Sequence, residues 1–450
     1  MQPLPSSYRD NDGFVFDYQG RVYRYIHPRY EEQFQCLLSS GLYNDLVADG
    51  SLISHAEVAN DPVFGLPTGR VLLPEQVPFI SYPYEWSFDM WKDAALLTLR
   101  IARKALQKGM LLKDATPFNI QFIHGRPVFI DTLSFETSAE DQPWIAYRQF
   151  CECFLGPLLL MKYDHPSAGR LFTVYPNGIP LDQLVKLLPS KAKWNINNYL
   201  HIYLQAKIKL KQTGKSSAQP AFSKKKLEIL LDGLQRYTGT INLPATKTTW
   251  DDYYGHTILG KDYLEAKTVL VRSFLSWIDY DSLIDLGAND GHFSLLAGNK
   301  RVVAIDADPN CINALYSLVK KEKRDILPLV IDLAAPSPAI GFNNAERTAM
   351  GERLHADALL ALALVHHLAI ANNIPLTMIA DWLKPMTPHV VIEFVPKDDE
   401  KVKLLLQHRE DIFDDYSEDG FRRAFGRHYE FVKEQRIGNT GRLLFLLKKK

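Results

Sequence analysis

The stretch DLGANDGHFS (Asp285–Ser294) closes a short apolar run, Ser282–Leu286, and interrupts it with two glycines. A run of that length reads as a buried strand, and the residues after Gly291 read as the start of a helix. Gly287 and Gly291 have no Cβ, so the chain can turn tightly there and a ligand can reach the main chain, while a helix N-terminus offers free N–H groups. The next strand, RVVAIDADP (Arg301–Pro309), ends in Asp306, twenty-one residues after Asp285. In nucleotide-binding α/β sheets an ionised acid at that point accepts hydrogen bonds from ribose hydroxyls. A third run, DILPLVIDLA (Asp325–Ala334), carries Asp332 to the corresponding end of a third strand, beside an adenine ring in the same crevice. Asn289 in mid-loop departs from the G-x-G-x-x-G spacing of dinucleotide dehydrogenases and argues against NAD.

Strands and helices go on alternating toward the C-terminus, the signature of a parallel sheet with helices on its faces. The pattern predicts a strand over Ala358–Leu364, a helix over Leu376–Leu383, a strand at HVVIEFVP (His389–Pro396) and two further helices. Two closing strands, about Glu430–Ile437 and Arg442–Leu447, flank Gly438-Asn-Thr-Gly441 as a hairpin, which turns the last strand antiparallel. From Trp250 to Lys450 the chain resembles the class I S-adenosylmethionine-dependent methyltransferases, whose seven-stranded, Rossmann-like α/β sheet ends in such a hairpin. The resemblance implies S-adenosylmethionine as cofactor, held by Asp285, Gly287, Asn289 and Gly291 of the loop, by Asp306 at the ribose and by Asp332 at the adenine. The Pro-, Gly- and Asn-rich stretch Ala335–Arg353 is long for a strand connection and is expected to act as a substrate lid.

The fourth strand runs into LALVHHL (Leu362–Leu368), which sets His366 and His367 at the edge where the transferred methyl points. A histidine titrates near neutrality and can take the proton of a hydroxyl or amine as it is methylated, so both are candidate catalytic bases. No Asn/Asp-Pro-Pro-Tyr/Phe string stands there, which favours a small-molecule or modified-group acceptor, methylated on oxygen or nitrogen. Glu393 reads as a substrate hydrogen-bonding residue or a solvated strand-end acid. In WDDYYGHT (Trp250–Thr257), Tyr253 and Tyr254 can cover the cofactor, since aromatic faces attract a sulfonium; Tyr254 completes the cofactor set. No metal is expected.

The N-terminal third carries a different constellation. In LLKDATPFNIQFIHGRPVFIDTLSFE (Leu111–Glu136), Asp114 stands five residues before Asn119, a hairpin follows around His124-Gly125, and Asp131 comes next. The segment resembles the catalytic loop of protein kinases and aminoglycoside phosphotransferases, which implies Asp114 as base and Asn119 and Asp131 as metal ligands. An amphipathic helix over Trp91–Lys108 and an apolar strand over Val77–Trp86 fit that layout. The departures point to a degenerate domain: no glycine-rich loop, no Val-Ala-Ile-Lys strand, and Thr132-Leu133 in place of Phe-Gly. GRVYRYI (Gly20–Ile26) occupies the lysine strand's place with Arg21 and Arg24, and Glu31 or Glu32 is expected to pair with one of them.

These readings divide the chain into a kinase-like α+β domain over 1–180, a basic helical linker over 181–245 with a flexible break at Gln212–Ser223, and the methyltransferase domain over 246–450. The whole chain is also similar to two-part methyltransferase proteins that include rhizobial host-specificity nodulation proteins, chiefly through YYGHT (Tyr253–Thr257), DLGANDG (Asp285–Gly291), LVHHLA (Leu364–Ala369) and EFVPKDD (Glu393–Asp399).

Composition agrees with a multidomain globular protein. In 450 residues, 46% hydrophobic and 23% charged, Lys+Arg and Asp+Glu are both 52, so no global field draws the chain to nucleic acid or to anionic membranes. Cys36, Cys151, Cys153 and Cys311 are too scattered for a disulfide framework or a C-x-x-C site, which points to a reducing, cytoplasmic setting. The first residues lack the order of a signal peptide, and the most apolar stretch, Ala356–Ala371, carries Asp357, His366 and His367. Neither a nucleic-acid nor a membrane partner is expected. The function expected is methyl transfer to an acceptor that the N-terminal domain helps to bind; the alternative is a phosphotransferase or nucleotide-binding module using Asp114, Asn119 and Asp131.

Overall fold

The computed structural model describes residues 2–138, 141–211, 222–244, 261–407 and 409–450. The chain forms two compact units, Met1–Ala245 with Ala339–Thr348, and Thr246–Pro338 with Ala349–Lys450.

In the second unit seven strands form one sheet. They are β1 (Ser282–Leu286), β2 (Arg301–Asp306), β3 (Ile326–Val330), β4 (Ala358–Ala361), β5 (His389–Phe394), β6 (Tyr429–Arg436) and β7 (Leu443–Lys449), in the order β3-β2-β1-β4-β5-β7-β6. The first five run parallel, and β7 is antiparallel to both β5 and β6. The parallel strands are near-continuous buried apolar runs with little alternation, the pattern of a sheet covered on both faces, and the core around them includes Leu283, Ala304, Leu315, Leu360 and Val391. Chain order reverses between β1 and β4, which opens a crevice at the C-terminal ends of the strands. Gly287, Asp306, Asp332, His366 and Glu393 all follow or end parallel strands, and therefore share that edge.

The hairpin, the strand at His389 and the helix Leu376–Leu383 form as the sequence predicts. Two expectations fail locally. No α-helix follows the glycine loop: a single 3₁₀ turn, Ser294–Ala297, ends at Gly298, because little chain separates Gly291 from β2. The fourth strand stops at Ala361, since Ala363 takes a positive φ of 50° and turns the chain away.

The first unit opens with a five-stranded antiparallel sheet, in which Gly13–Tyr18 and Arg21–Ile26 are joined at Gln19 and Gly20, both at positive φ. The twenty-residue helix Phe88–Gln107 buries Met90, Trp91, Ala94, Leu97, Thr98, Ile101 and Ala105, a three-four spacing that gives one apolar stripe. No strand forms over Val77–Trp86; the apolar strand is Arg70–Pro74, and Pro83 starts a 3₁₀ turn instead. The hairpin Ile120–Ile123/Arg126–Phe129 turns at His124 and Gly125 as expected. The helix Lys224–Thr240, from the stretch read as a linker, belongs to this unit and pairs Asp232 with Arg103 of the long helix at 2.6 Å. Of the expected flexible break, residues 212–221 lie outside the described residues.

Residues 339–348, the middle of the stretch expected to be a lid, are counted with the first unit. Glu346 accepts hydrogen bonds from Arg9 (2.8 Å) and Tyr8 (2.7 Å), and Thr348 N–H donates to Tyr82 Oη (3.0 Å). The guanidinium of Arg347 lies 4.2 Å from the Phe118 ring centre. Such contacts tie the segment down, in contrast to a lid free to open.

Candidate functional site

The glycine loop is held by the strand beside it. The N–H groups of Gly287 and Ala288 both donate to Ile305 O (2.8 and 2.9 Å), and Asn289 N–H donates to the Asp306 carboxylate at 2.9 Å. Gly287, Asn289 and Gly291 all have positive φ, and a Cβ on Gly291 would lie 2.4 Å from the Leu315 side chain, so glycine is needed there for conformation and for space. Asn tolerates the left-handed region better than most residues, which explains how Asn289 stands where a third glycine is common.

Asp306 is the pivot. Its two carboxylate oxygens accept from Asn289 N–H and from Asp308 N–H (2.9 Å each), which fixes the side chain at the crevice with acceptor capacity to spare, since each oxygen can take a second donor. Burial raises its pKa, opposed by those two N–H groups. Asp332, half-buried, accepts from Ala334 N–H at 2.9 Å. Asp285 is buried and accepts from Ser294 Oγ at 2.6 Å. Burial, and next to it the neighbouring Asp306, push its carboxyl up to about 6, against the pull of Ser294 and Lys267. Tyr253 and Tyr254 lie outside the described residues.

That shift has a measurable sign. A carboxyl held above its ordinary 3.8 contributes stability that is complete below that value and is lost as pH rises through about 6. The gap corresponds to about 3 kcal/mol at most. Thermal melts of the ligand-free protein at pH 5 and pH 8 are expected to show Asp285→Asn gaining on the parent at the higher pH. Equal differences at both pH values would contradict it.

His366 and His367 follow β4 as predicted, with ring centres 4.2 Å apart. His366 is buried, and neither of its ring nitrogens has a hydrogen-bond partner among the described residues. Burial, then His367, hold its pKa well below the ordinary value, so the ring is neutral at physiological pH and one nitrogen carries a free lone pair. Burial also lowers His367, followed by the charges of Lys401 and Arg442.

Glu393 is neither a free substrate ligand nor solvated. It is fully buried at the end of β5, where Lys267 Nζ lies 2.6 Å from Oε2, Tyr263 Oη donates to Oε1 (2.7 Å) and Arg442 to the same oxygen (3.2 Å). Arg442, at the foot of β7, also clamps Asp399 through two bonds of 2.8 and 2.9 Å. Burial pushes the Glu393 carboxyl up, but Lys267 and Arg442 outweigh it and leave it at about 2. Lys267 also lies 4.8 Å from the Phe293 ring centre, so the cluster supports the segment that follows the glycine loop. The sequence reading missed Lys267, Tyr263 and Arg442. A lysine and a tyrosine four residues apart on a helix read as an ordinary surface pair, and nothing in the string marks a buried arginine.

The first unit gathers its own constellation. Asp114 accepts from Asn119 Nδ2 (3.1 Å) and Gln149 Nε2 (2.6 Å), Asn119 also donates to Ser134 Oγ (3.2 Å), and Ser134 Oγ donates to Asp131. Arg24 pairs with Asp131 at 2.6 Å. Burial, then Asp131, raise the pKa of Asp114. Glu31 pairs with Arg70 (2.6 Å) and with neither Arg21 nor Arg24, because the Arg70 strand runs beside the Arg24 strand and faces the helix that Glu31 begins. Among the described residues no group of three His, Cys, Asp or Glu side chains could hold a metal ion.

No family model matches the chain. In sequence it is 33% identical over 454 residues to the nodulation protein NoeA of Rhizobium meliloti (strain 1021), covering 98% of this chain and 95% of NoeA. Among solved structures it is similar to the N-methyltransferase NodS of Bradyrhizobium japonicum WM9, with 14% identity and a TM-score of 0.32 over 42% of this chain and 97% of NodS. It is similar too to the bifunctional kinase-methyltransferase WbdD, with 17% identity and a TM-score of 0.31 over 44% of this chain and 41% of WbdD. Likenesses this slight carry no weight for function, which has to be read from the residues of the site.

Proposed function

The chain belongs to the family of the nodulation protein NoeA, and from that premise we propose that its second unit is an S-adenosylmethionine-dependent methyltransferase. The observation that carries the reading is the Asp306 carboxylate, anchored through Asn289 N–H to the glycine loop at the switch point of a β3-β2-β1-β4-β5-β7-β6 sheet. The fit to a nucleoside is good. Asp306 keeps acceptors for two ribose hydroxyls, Asp332 stands on the adenine side, and the buried carboxyl of Asp285 suits the cationic amino-acid end. Bound S-adenosylmethionine would supply the methyl group and leave as a thioether.

The protein's part is then to hold, to exclude water and to move one proton. His366, neutral and without a partner, takes the proton of the acceptor's hydroxyl or amine as its oxygen or nitrogen is methylated. Its burial keeps the lone pair available at neutral pH. Glu393, Lys267 and Arg442 act as positioning residues. The acceptor is a small molecule or a modified group.

The test is release of S-adenosylhomocysteine from S-adenosylmethionine against a panel of hydroxyl- and amine-bearing acceptors. Acceptor-dependent release is expected, and His366→Asn should lower it by about 10²–10⁴-fold with cofactor affinity within about twofold. Parent-like turnover in the variant would remove His366 from the mechanism. Cofactor binding with no release for any acceptor would leave a binding protein.

A second reading concerns the first unit, where Asp114, Asn119 and Asp131 share one network. We read it as kinase-like in layout and silent in phosphoryl transfer, because the Arg24 guanidinium occupies the Asp131 carboxylate that a metal would need. Magnesium and ATP are therefore expected to leave the first unit's melting temperature unchanged. A saturable rise would restore the phosphotransferase alternative.

A further inference from the structure

The stretch Leu181–Lys211 carries six lysines (186, 191, 193, 207, 209 and 211) and a single acid, Asp182. Within it the chain is helical from Ile196 to Lys211, with one wider turn over Tyr199–Tyr203. The inward face buries Asn198, His201, Ile202 and Ala206. The outward face is apolar: Ile196, Leu200, Leu204 and Ile208 recur every fourth residue, and all but the half-buried Leu204 are exposed. Trp194 stands at the start of this stripe with 90% of its surface exposed, and Ile196 with 65%. Leu187 is exposed as well.

Folding places apolar side chains in water only at a cost, and a tryptophan this open, at the end of the 3₁₀ turn Ser190–Trp194 and two residues before a file of branched aliphatics, marks a surface that another phase or molecule covers. The charge around it names the partner's sign. Lys186, Lys191, Lys193 and Lys207 are exposed, and among the described residues none of them is in an ion pair. The side-chain types name the partner's kind. Trp194 alone offers a face on which a nucleic-acid base can stack, whereas Ile196, Leu200 and Ile208 offer none, so the file as a whole does not suit a run of successive bases. A single file along one helix offers a ridge to a protein partner. A bilayer interface suits the whole set: tryptophan settles at the headgroup level, aliphatic side chains enter the acyl boundary, and lysine stems lie along the apolar surface with their ammonium groups among lipid phosphates.

We propose that the helical face from Trp194 to Ile208 docks the protein, without spanning, on the surface of an anionic lipid bilayer. The expectation of no membrane partner rested on a net charge of zero and on the lack of a spanning segment. A local lysine patch evades the first, and surface docking evades the second; among the described residues no helix is long and apolar enough to cross a membrane.

The test is co-sedimentation of the full chain with vesicles of phosphatidylcholine alone and of phosphatidylcholine with phosphatidylglycerol, at low and at 0.5 M salt. Binding is expected to the phosphatidylglycerol vesicles alone and to fall at high salt, because the attraction is screened. Trp194→Ala with Ile196→Ala should weaken it by roughly tenfold, and Lys191→Glu with Lys193→Glu should abolish sedimentation with the phosphatidylglycerol vesicles. All four side chains are exposed, so the variants should melt like the parent, which separates lost docking from lost folding. Three results would overturn the proposal: no lipid-dependent sedimentation, sedimentation unaffected by both double variants, or a patch-dependent dimer or RNA complex in place of vesicle binding.

Discussion

Asp306→Ala is expected to weaken S-adenosylmethionine binding by roughly a hundredfold, about 3 kcal/mol, with the second unit still folded. The effect has two physical parts. Alanine removes the acceptors offered to the ribose hydroxyls, and hydrogen bonds to a charged group are worth about 1.5–3 kcal/mol each. It also leaves Asn289 N–H and Asp308 N–H without their acceptor, so the glycine loop loses its tie to the end of β2. Asp306→Asn keeps one acceptor oxygen and should lose about tenfold. Calorimetric titration of the three proteins reads both numbers. An alanine variant that binds as the parent does would end the cofactor assignment at this residue.

Glu393→Ala is expected to be the most destabilising single change in the second unit, by about 3–5 kcal/mol. Lys267 and Arg442 are buried against this carboxylate, and without it two cations face each other in a low-dielectric interior, with Asp399 compensating only Arg442. For a unit of this size each kcal/mol is about 2–4 °C, so a fall of about 6–20 °C in melting temperature follows. Replacing Glu393 and Lys267 together by Leu and Met should recover a large part, because the cost lies in the unpaired charge and not in the lost contact. A single variant that melts within about 2 °C of the parent would show that the cluster is not a closed ion network.

Much of the second unit could be read from the string, because its strands are fully buried and separated by glycine and acidic turns. The apolar runs at 282, 301, 326 and 389 became parallel strands, and the terminal hairpin closed the sheet. The acid at the end of the second strand was legible for the same reason: a polar residue that stops an apolar run has to face the edge. Local chain geometry was harder to read. The helix expected after Gly291 shrank to one turn because loop length, not propensity, set the limit. Glu393 was misread because a strand-end acid looks the same whether water or a lysine fifteen residues before β1 lies beside it. In the first unit the spacing of Asp114, Asn119 and Asp131 did predict their meeting, yet the Arg24 that closes on Asp131 was one of two arginines, with Arg21, either of which was expected to pair with Glu31 or Glu32. The fate of a cation depends on which carboxylate the fold brings nearest, and that is a tertiary fact.

The most direct test of the account is titration of the purified full-length protein with S-adenosylmethionine in a calorimeter, with Asp306→Ala as control. One saturable site that the variant loses is the predicted result. No heat of binding from a protein that melts cooperatively would contradict it, and would leave the second unit as a nucleoside-type fold with another use.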